Sequence, residues 1–490
     1  MSASQKVIKS SALLLALQLV QRGLGIASTL ILARLLTPEH FGIVALVMIA
    51  LQFFELLVET GNQQYIVQKD DVDDHDLNTA WSMDVLIKTT MAILIMVSAP
   101  SIAGYFQTPE LTLALSVAAL TLPIRALKTP GMMLLAREIN YRPGFRLALW
   151  QKVLSFVTVI IIALIQPSHW AIITGTLVSS IVLAIGSYRV HSFRPRWSLT
   201  RISDQWSFSQ WLVLRGIVGF TRSQIDNLMV SRFFGTVQLG GYNLVREVSL
   251  LPALSAIIPM SEPLLAAIAQ SKYDKPVLAY RIRLSLALMA TILMPLTTFL
   301  MLYPELITAV LLGPQWSEYA PLLRPFGLFF LTFCLFALVS DAMIALGRVK
   351  ALFTFDVIST ALIIIALLTL ATDSLSNMAW YRGWLAVVTT FGLIVILNRL
   401  APFNLLRLLW LCTPSFAASL GAAWLLTQLT FSTLPNLLEF LIRGCLFVLF
   451  AVVLTWGFSS ALLARSEEWK QLKSLTASLK GNNDLSQDQA

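Results

Sequence analysis

Apolar residues fall in runs of roughly twenty along the whole chain, each ended by a short polar or basic stretch. A helix needs ~20 apolar residues to cross a ~30 Å hydrocarbon core, so the pattern predicts membrane-spanning helices. About fourteen spans are expected, near 10–35, 39–61, 78–103, 111–135, 146–166, 169–191, 207–233, 237–268, 280–302, 321–346, 350–372, 377–398, 404–429 and 436–463. The expected fold class is an all-α polytopic membrane protein.

The connectors alternate in character. Those after even-numbered spans carry Lys69, then Arg137, Arg142 and Arg146, then Arg189, Arg194, Arg196 and Arg201. Further along come Lys272, Lys275, Arg281, Arg283, Arg348, Lys350, Arg399 and Arg407. Connectors after odd-numbered spans hold few cations, chiefly Arg34, Arg232 and Arg324. Short loops rich in Lys and Arg stay in the cytoplasm, which places both termini there and requires an even span number. The polar start, with Lys6 and Lys9, leads into a run that continues past Gln18 and Arg22 without a small-residue cleavage site. It reads as a retained first span.

No connector is long enough for a domain. The largest external one, roughly 303–320, has room for one short turn. After Ala464, Trp469, Leu472, Leu475 and Leu479 recur at helical spacing between Lys470, Lys473 and Lys480. That pattern suits a helix lying on an anionic cytoplasmic leaflet, with a solvated tail as the alternative.

Composition narrows the functions. Hydrophobic residues make up 57% of the chain and charged residues 12%, with a mean hydropathy of +0.75, too little charge to cover a soluble protein of this length. The net charge of +9 is spread over the loops as a topology signal. Nucleic-acid binding would need one concentrated basic face, so no nucleic-acid partner is expected. Cys334, Cys412 and Cys445 lie apart in apolar runs, and His40, His75, His169 and His191 form no cluster in sequence. Neither a metal site nor a cofactor is implied, and no phosphate loop or nucleophile elbow is present. The chain does not read as an enzyme: a membrane polymerase or ligase would need a sizeable external loop with catalytic residues.

Spans one and seven end alike. Leu32-Ala33-Arg34-Leu35-Leu36-Thr37-Pro38-Glu39-His40-Phe41-Gly42 aligns with Val230-Ser231-Arg232-Phe233-Phe234-Gly235-Thr236-Val237-Gln238-Leu239-Gly240. A duplication by six spans keeps both copies in one orientation. It predicts two six-helix lobes related by a pseudo-two-fold along the membrane normal, with a cavity between them. The lobes would be 1–191 (spans one to six) and 207–398 (spans seven to twelve), joined by a basic cytoplasmic linker at 192–206. A C-terminal helix pair, 399–463, and a cytoplasmic tail, 464–490, complete the chain.

Several motifs carry a resemblance to a known family. The run from Leu32 to Gly42, then Gln68-Lys69-Asp70 with Asp76-Leu77-Asn78-Thr79-Ala80-Trp81, resembles the polysaccharide-export flippases, relatives of O-antigen and colanic acid exporters. Gly240-Gly241-Tyr242-Asn243-Leu244 is similar to that family as well, as is Leu312-Gly313-Pro314-Gln315-Trp316 followed by Pro321-Leu322-Leu323. The family sits within the multidrug/oligosaccharidyl-lipid/polysaccharide exporter superfamily. The resemblance fades after about residue 350, and Glu59-Thr60-Gly61 stands where the family often has Asp-x-Gly. It implies export of undecaprenyl-diphosphate-linked oligosaccharide from the cytoplasmic to the outer leaflet of a bacterial inner membrane. Expected partners are the lipid-linked oligosaccharide diphosphate and membrane lipids, with polysaccharide polymerase and export machinery as further candidates.

Ionisable groups at bilayer depth are costly unless paired or wet, so each is a candidate site. Asp84 with Lys88, Arg222 with Asp226 and Glu439 with Arg443 are at i,i+4 spacing and able to pair on one helix. Glu55, Glu59, Asp341 and Asp356 lie near cytoplasmic span ends, where hydration suffices. Arg22 stands at mid-depth with no acidic residue on its own helix, and the duplication puts Arg222 in the equivalent span. Arg215 shares a face with Arg222, Arg125 and Lys128 sit three apart in the fourth span, and Arg246 lies in the eighth. A guanidinium in a wet cleft suits phosphate because it offers paired donors and a charge that burial does not remove. Arg22, Arg222, Arg215, Arg246, Arg125 and Lys128 are therefore the substrate-binding candidates, and Asp226 and Glu247 the ion-coupling ones. Kinks at Pro123, Pro252, Pro259 and Pro295 suit alternating access, or are static bends. A cation-coupled multidrug antiporter on the same fold is the competing reading, with Asp226, Asp341 and Asp356 as its carboxylates.

Overall fold

Helices account for the regular structure of the described residues in this computed structural model, which are 3–58, 66, 69, 71–138, 140, 142–370, 373–429, 435–464 and 466–469. Side chains at 3–16, 136 and 203–215 lie outside that description. The first half comprises α1 (Ala3–Leu35), α2 (Pro38–Leu57), α3 (Asp74–Tyr105), α4 (Leu111–Ala119), α5 (Thr121–Ala126) and α6 (Gly131–Arg137). It continues with α7 (Arg142–Ile165), α8 (Trp170–Val190), α9 (Ile202–Phe234) and α10 (Thr236–Pro252). A π turn, Ala253–Ile257, leads to α11 (Ile258–Gln270), then α12 (Lys275–Leu302), α13 (Pro304–Leu311) and a 3-10 helix, Pro314–Leu322. The last are α14 (Leu323–Ala345), α15 (Val349–Leu370), α16 (Leu375–Leu400), α17 (Leu405–Thr427) and α18 (Asn436–Leu462).

Among the described residues, eleven helices are long and apolar enough to cross a membrane, counting α10 with α11 and the 3-10 helix with α14 as continuous rods. The chain is a multi-pass helical membrane protein. The expected spans near 10–35 and 207–233 fall on α1 and α9. The one near 111–135 is interrupted at Leu120 and again after Ala126. Pro123 in α5 has no N–H to give the residue four back, which favours a bend there. Pro252 closes α10 where the π turn begins, a second local loss of regular bonding.

Local chemistry sets the helix starts. The Asp73 carboxylate accepts the Asp76 N–H at 2.8 Å while Asp76 accepts the Asp73 N–H at 3.1 Å, a reciprocal cap that opens α3. Asp274 caps α12 through Val277 N–H, and Asn404 caps α17 through Arg407 N–H. Between α9 and α10 the chain turns in a single step at Gly235, whose φ of 90° suits a residue without Cβ.

The chain forms two compact units: residues 1–245 with 356–375, and residues 246–355 with 376–490. In the first, α1 packs on α7, α7 on α8, α3 on α4, α5 on α8 and α2 on α9. In the second, α12 packs on both α14 and α17, and α17 packs on α18. The connector at 303–320, expected to hold one short turn, holds α13 and the 3-10 helix, with Trp316 fully buried. Pro304 and Pro314 start the two pieces, and Gly313 at φ 112° breaks them apart.

The tail also departs from expectation. Its described turn, Ser466–Trp469, is held inside the second unit instead of lying at a surface. The buried Glu468 carboxylate accepts from Arg283 Nη2 at 2.6 Å, Arg283 Nε at 2.9 Å and Arg407 Nη2 at 2.9 Å. The Trp469 ring meets Trp456 edge-on at 4.9 Å. Burial pushes the Glu468 carboxyl up, but its own backbone N–H and the two guanidinium groups outweigh that and hold it below the usual carboxylate range. Residues 470–490, which include the other Leu and Lys positions of the expected surface helix, lie outside the described residues.

Candidate functional site

The two copies of the duplicated motif touch each other. A Cβ on Gly42 would run into the Thr236 carbonyl, and a Cβ on Gly240 would run into the Pro38 carbonyl. Thr236 occupies in the second copy the place of Pro38 in the first, and Gly240 that of Gly42. Each glycine therefore makes room for the first turn of the other copy, a reciprocal crossing of α2 and α10 at close backbone distance. Thr108 reaches the same point, its hydroxyl 2.6 Å from that of Thr236. A mostly polar cavity of about 490 Å³ lies beside it, lined by Glu39, Gln107, Glu110 and Arg232 among others. Two of the four histidines meet nearby despite their separation in sequence: the His40 and His169 rings are 5.9 Å apart, with His169 Nδ1 4.0 Å from Glu110. No group of three metal-ligating side chains forms among the described residues.

From that crossing α2 and α9 run side by side in opposite directions. Gln224 Nε2 donates to Gln52 at 3.0 Å, the Phe53 and Phe220 rings stand 5.4 Å apart, and Leu56 packs over Gly216. Polar side chains continue the seam on α9: Asn227 Nδ2 donates to Gln224 at 2.9 Å and to Asn243 at 3.1 Å. Asp226, fully buried, accepts from the Tyr242 hydroxyl at 3.2 Å. Arg222 donates to Asp356 at 2.8 Å and to Ser359 at 3.3 Å. Asp356, expected to be satisfied by hydration, has instead a guanidinium partner from a helix far away in sequence.

The same holds for Glu55, which accepts from Arg125 at 2.6 Å, while Arg125 Nε donates to Ser180 at 3.1 Å. Both charged side chains keep more than a third of their surface exposed. Lys128 lies within electrostatic reach of Arg125 and of the Asp84–Lys88 pair, which closes at 2.7 Å as its spacing predicted. Glu439 and Arg443 pair at 2.7 Å in the second unit.

Arg22 differs from all of these. It is partly exposed at mid-length in α1, beside Gln18 and Gln21, and makes no ion pair or hydrogen bond with any described residue. One turn on, a Cβ at Gly25 would lie 3.8 Å from Lys152 Nζ of α7. Residues three apart share a helix face, so Lys152 lies over the face of α1 that Gly25 shares with Arg22. Lys152 likewise has no ion-pair partner among the described residues, and it was missed in the sequence although it interrupts an apolar run. Two cations thus face one seam with no described anion between them.

The remaining candidates separate. The Arg215 side chain lies outside the described residues. Arg246 and Glu247 belong to the second unit; Glu247 is exposed, whereas Arg246 is buried with its guanidinium 5.1 Å over Phe329. Arg382, also missed in the sequence, is buried and sits 4.6 Å over the same ring. Glu59 lies outside the described residues.

Comparison with known proteins settles the family. A model described as "Polysaccharide biosynthesis protein" matches residues 31–321, more than half of the chain. The chain belongs to this family. Among characterised relatives, the succinoglycan biosynthesis transport protein ExoT of Rhizobium meliloti is 25% identical over 61% of this chain, and the match spans 61% of ExoT. The lipopolysaccharide biosynthesis protein WzxC of Escherichia coli is 22% identical over 75% of each chain. The teichuronic acid biosynthesis protein TuaB of Bacillus subtilis is 22% identical over 69% of this chain and 71% of its own. In fold, the chain is similar to the lipid II flippase MurJ in an inward closed conformation, with a TM-score of 0.74, 15% identity and coverage of 92% of this chain and 99% of MurJ. An inward-facing multidrug resistance transporter, itself described as a member of the MOP superfamily, gives a TM-score of 0.57 at 14% identity, over 78% of this chain and 95% of its own.

Proposed function

We propose that this polysaccharide biosynthesis family member flips a lipid-linked oligosaccharide diphosphate, of the undecaprenyl type, from the cytoplasmic to the outer leaflet of a bacterial inner membrane. The observation that carries the reading is Arg22 with Lys152: two cations in apolar helices with no described anionic partner. A diphosphate leaving water loses much solvation, and fixed guanidinium and ammonium groups in a partly wet seam offset that loss. Arg125, Lys128 and Arg222 supply further donors on the same unit, with Arg125 and Arg222 tethered to carboxylates that hold them in place until the ligand arrives. Arg215, and Arg246 on the second unit, are proposed as further substrate contacts. The names of ExoT and WzxC, a transport protein and a lipopolysaccharide biosynthesis protein, support the substrate class, and so does the fold shared with a lipid II flippase.

The proposed architecture has fourteen spans, lobes 1–191 and 207–398 joined by 192–206, the extra pair 399–463, and both termini in the cytoplasm. The reciprocal Gly42–Thr236 and Gly240–Pro38 contacts support a duplication about an axis along the membrane normal. Alternating access would open and close the lobes around that crossing. No catalytic role is assigned to any residue.

The antiporter reading draws on Asp226, a fully buried carboxylate of the kind used for cation or proton coupling, and on the fold shared with a multidrug transporter. Coupling through Asp226, or through Glu247, is compatible with flipping as well. One experiment separates the two functions. Arg22→Ala with Lys152→Ala should abolish surface glycan and accumulate its lipid-linked precursor inside, with drug tolerance unchanged. Drug sensitivity with normal glycan would overturn the proposal.

A further inference from the structure

We infer that the groove between α7 and α8 is a binding site for one anionic phospholipid, held by its phosphate at the basic end and by an acyl chain along the groove. The two helices form an antiparallel hairpin, so the first turn of α7 and the last turn of α8 lie at the same end. Arg142 and Arg146 come from the first and Arg189 from the second, and all three line a cavity of about 760 Å³. All three are exposed, and none makes an ion pair or hydrogen bond with a described residue.

Below the arginines the walls turn apolar. Trp150, Leu154 and Ile185 line the groove at 62%, 40% and 57% exposure, so the aliphatic surface is open and not packed against another helix. At Gly186 the missing Cβ lets Leu147 close the floor. Between these walls lies room for a hydrocarbon chain. From position 142 to position 154 the helix advances ~18 Å at ~1.5 Å per residue, close to half of a ~30 Å hydrocarbon core. A site with cations at the interface and an apolar slot one leaflet deep matches a lipid of that leaflet.

Charge decides which lipid. Three guanidinium groups with no described partner offer bidentate donors to a phosphodiester oxygen pair, and a neutral zwitterion would bring its own cation into the same space. Basic pockets between spans on the cytoplasmic side recognise anionic headgroups in this way. The open Trp150 ring stands one turn below Arg146, at the depth where amphipathic aromatic rings favour the headgroup boundary. The inference is independent of whether the protein flips glycolipids, because none of Arg22, Arg125, Lys128, Lys152 or Arg222 lines this groove.

The test is native mass spectrometry of the full chain in detergent doped with equal amounts of phosphatidylglycerol and phosphatidylcholine. The native chain should retain one phosphatidylglycerol in preference to phosphatidylcholine. The triple variant R142Q/R146Q/R189Q should bind it on the order of 100-fold more weakly. Ile185→Trp, which fills the slot and leaves the arginines intact, should lose the lipid as well. Phosphatidylglycerol with brominated chains should quench part of the native tryptophan emission, and the quenched part should shrink in Trp150→Phe. Equal retention of both lipids by the native chain, unchanged retention by the triple variant, unchanged retention by Ile185→Trp, or quenching insensitive to Trp150→Phe would each overturn the inference.

Discussion

Arg283 and Arg407 in the second unit and Arg22 and Lys152 in the first are both pairs of cations set close together, yet they meet opposite fates. The former converge on one carboxylate, Glu468, buried among apolar side chains with every oxygen engaged. The latter share a seam between α1 and α7 with no described carboxylate in reach. The buried Glu468 cluster, with both carboxylate oxygens engaged, ties chain segments together and leaves little attraction for a ligand. An uncompensated one stores attraction that only an outside anion can satisfy, at a cost in stability the fold must carry. Charge in a membrane helix is thus informative only once its partners are known.

The largest effect expected from breaking this contrast is on transport. Arg22→Ala should lower export of lipid-linked glycan at least ~30-fold, as truncation of a central arginine contact does at other recognition sites. Lys152→Ala should act in the same direction. Melting temperature should hold or rise, because no described ion pair is lost and an uncompensated charge is removed. Export rate in reconstituted vesicles and a thermal melt of the same preparation check both halves.

Next in size is the compensated cluster. Glu468→Gln leaves two guanidinium groups facing a neutral side chain and should destabilise the second unit by about 3–5 kcal/mol. The pH dependence follows from its depressed carboxyl. A carboxylate held below its ordinary value contributes stability above its unfolded pKa and loses it as pH falls through the folded one. The gap in melting temperature between native and Glu468→Gln chains should therefore be full at pH 7. It should shrink below about pH 4, where carboxyls ordinarily protonate. A gap independent of pH would show that packing, with Trp469 against Trp456, holds the tail turn alone.

Much of the fold could be read from the chain because it depends on neighbours in sequence. Apolar run length, basic loop alternation and i,i+4 pairs such as Asp84–Lys88 are local signals, and the last closes as expected. The chain also showed the likeness of Leu32–Gly42 to Val230–Gly240 but not that the two stretches touch, since contact between copies is a tertiary fact. Asp356 and Glu55 show the same limit. Hydration was a sufficient account of each until folding brought Arg222 and Arg125 beside them. Lys152 and Arg382 are a different case: both interrupt apolar runs, and the rule that every charge in a span is a candidate applies to them as fully as to Arg22. Pairing logic within one helix hid them, because neither has a charged neighbour four residues away that draws attention.

The glycine crossing gives a third, smaller effect. Gly42→Ala or Gly240→Ala places a methyl group against a backbone carbonyl that cannot move as a side chain does. Each should cost about 1–3 kcal/mol. The two changes act on one crossing, so the double variant should cost less than the sum. Strict additivity in a thermal melt would mean that the two contacts are independent and that the copies do not meet as a reciprocal pair.

The smallest expected change in stability is at Arg125 and Glu55, and it sharpens the comparison most. With both side chains more than a third exposed, the pair counts as an exposed ion pair, so Glu55→Gln should cost no more than about 1 kcal/mol. Exchanging the two, Glu55→Arg with Arg125→Glu, should restore that amount. If Arg125 only ties helices together, as Arg283 does, the exchanged pair should restore export along with stability. If it donates to the diphosphate, as proposed, stability returns while export stays low, because the guanidinium now projects from α2 and no longer from α5. The same exchange at Arg283 and Glu468 has no ligand to misplace, so there any loss of export should track the loss of folded protein.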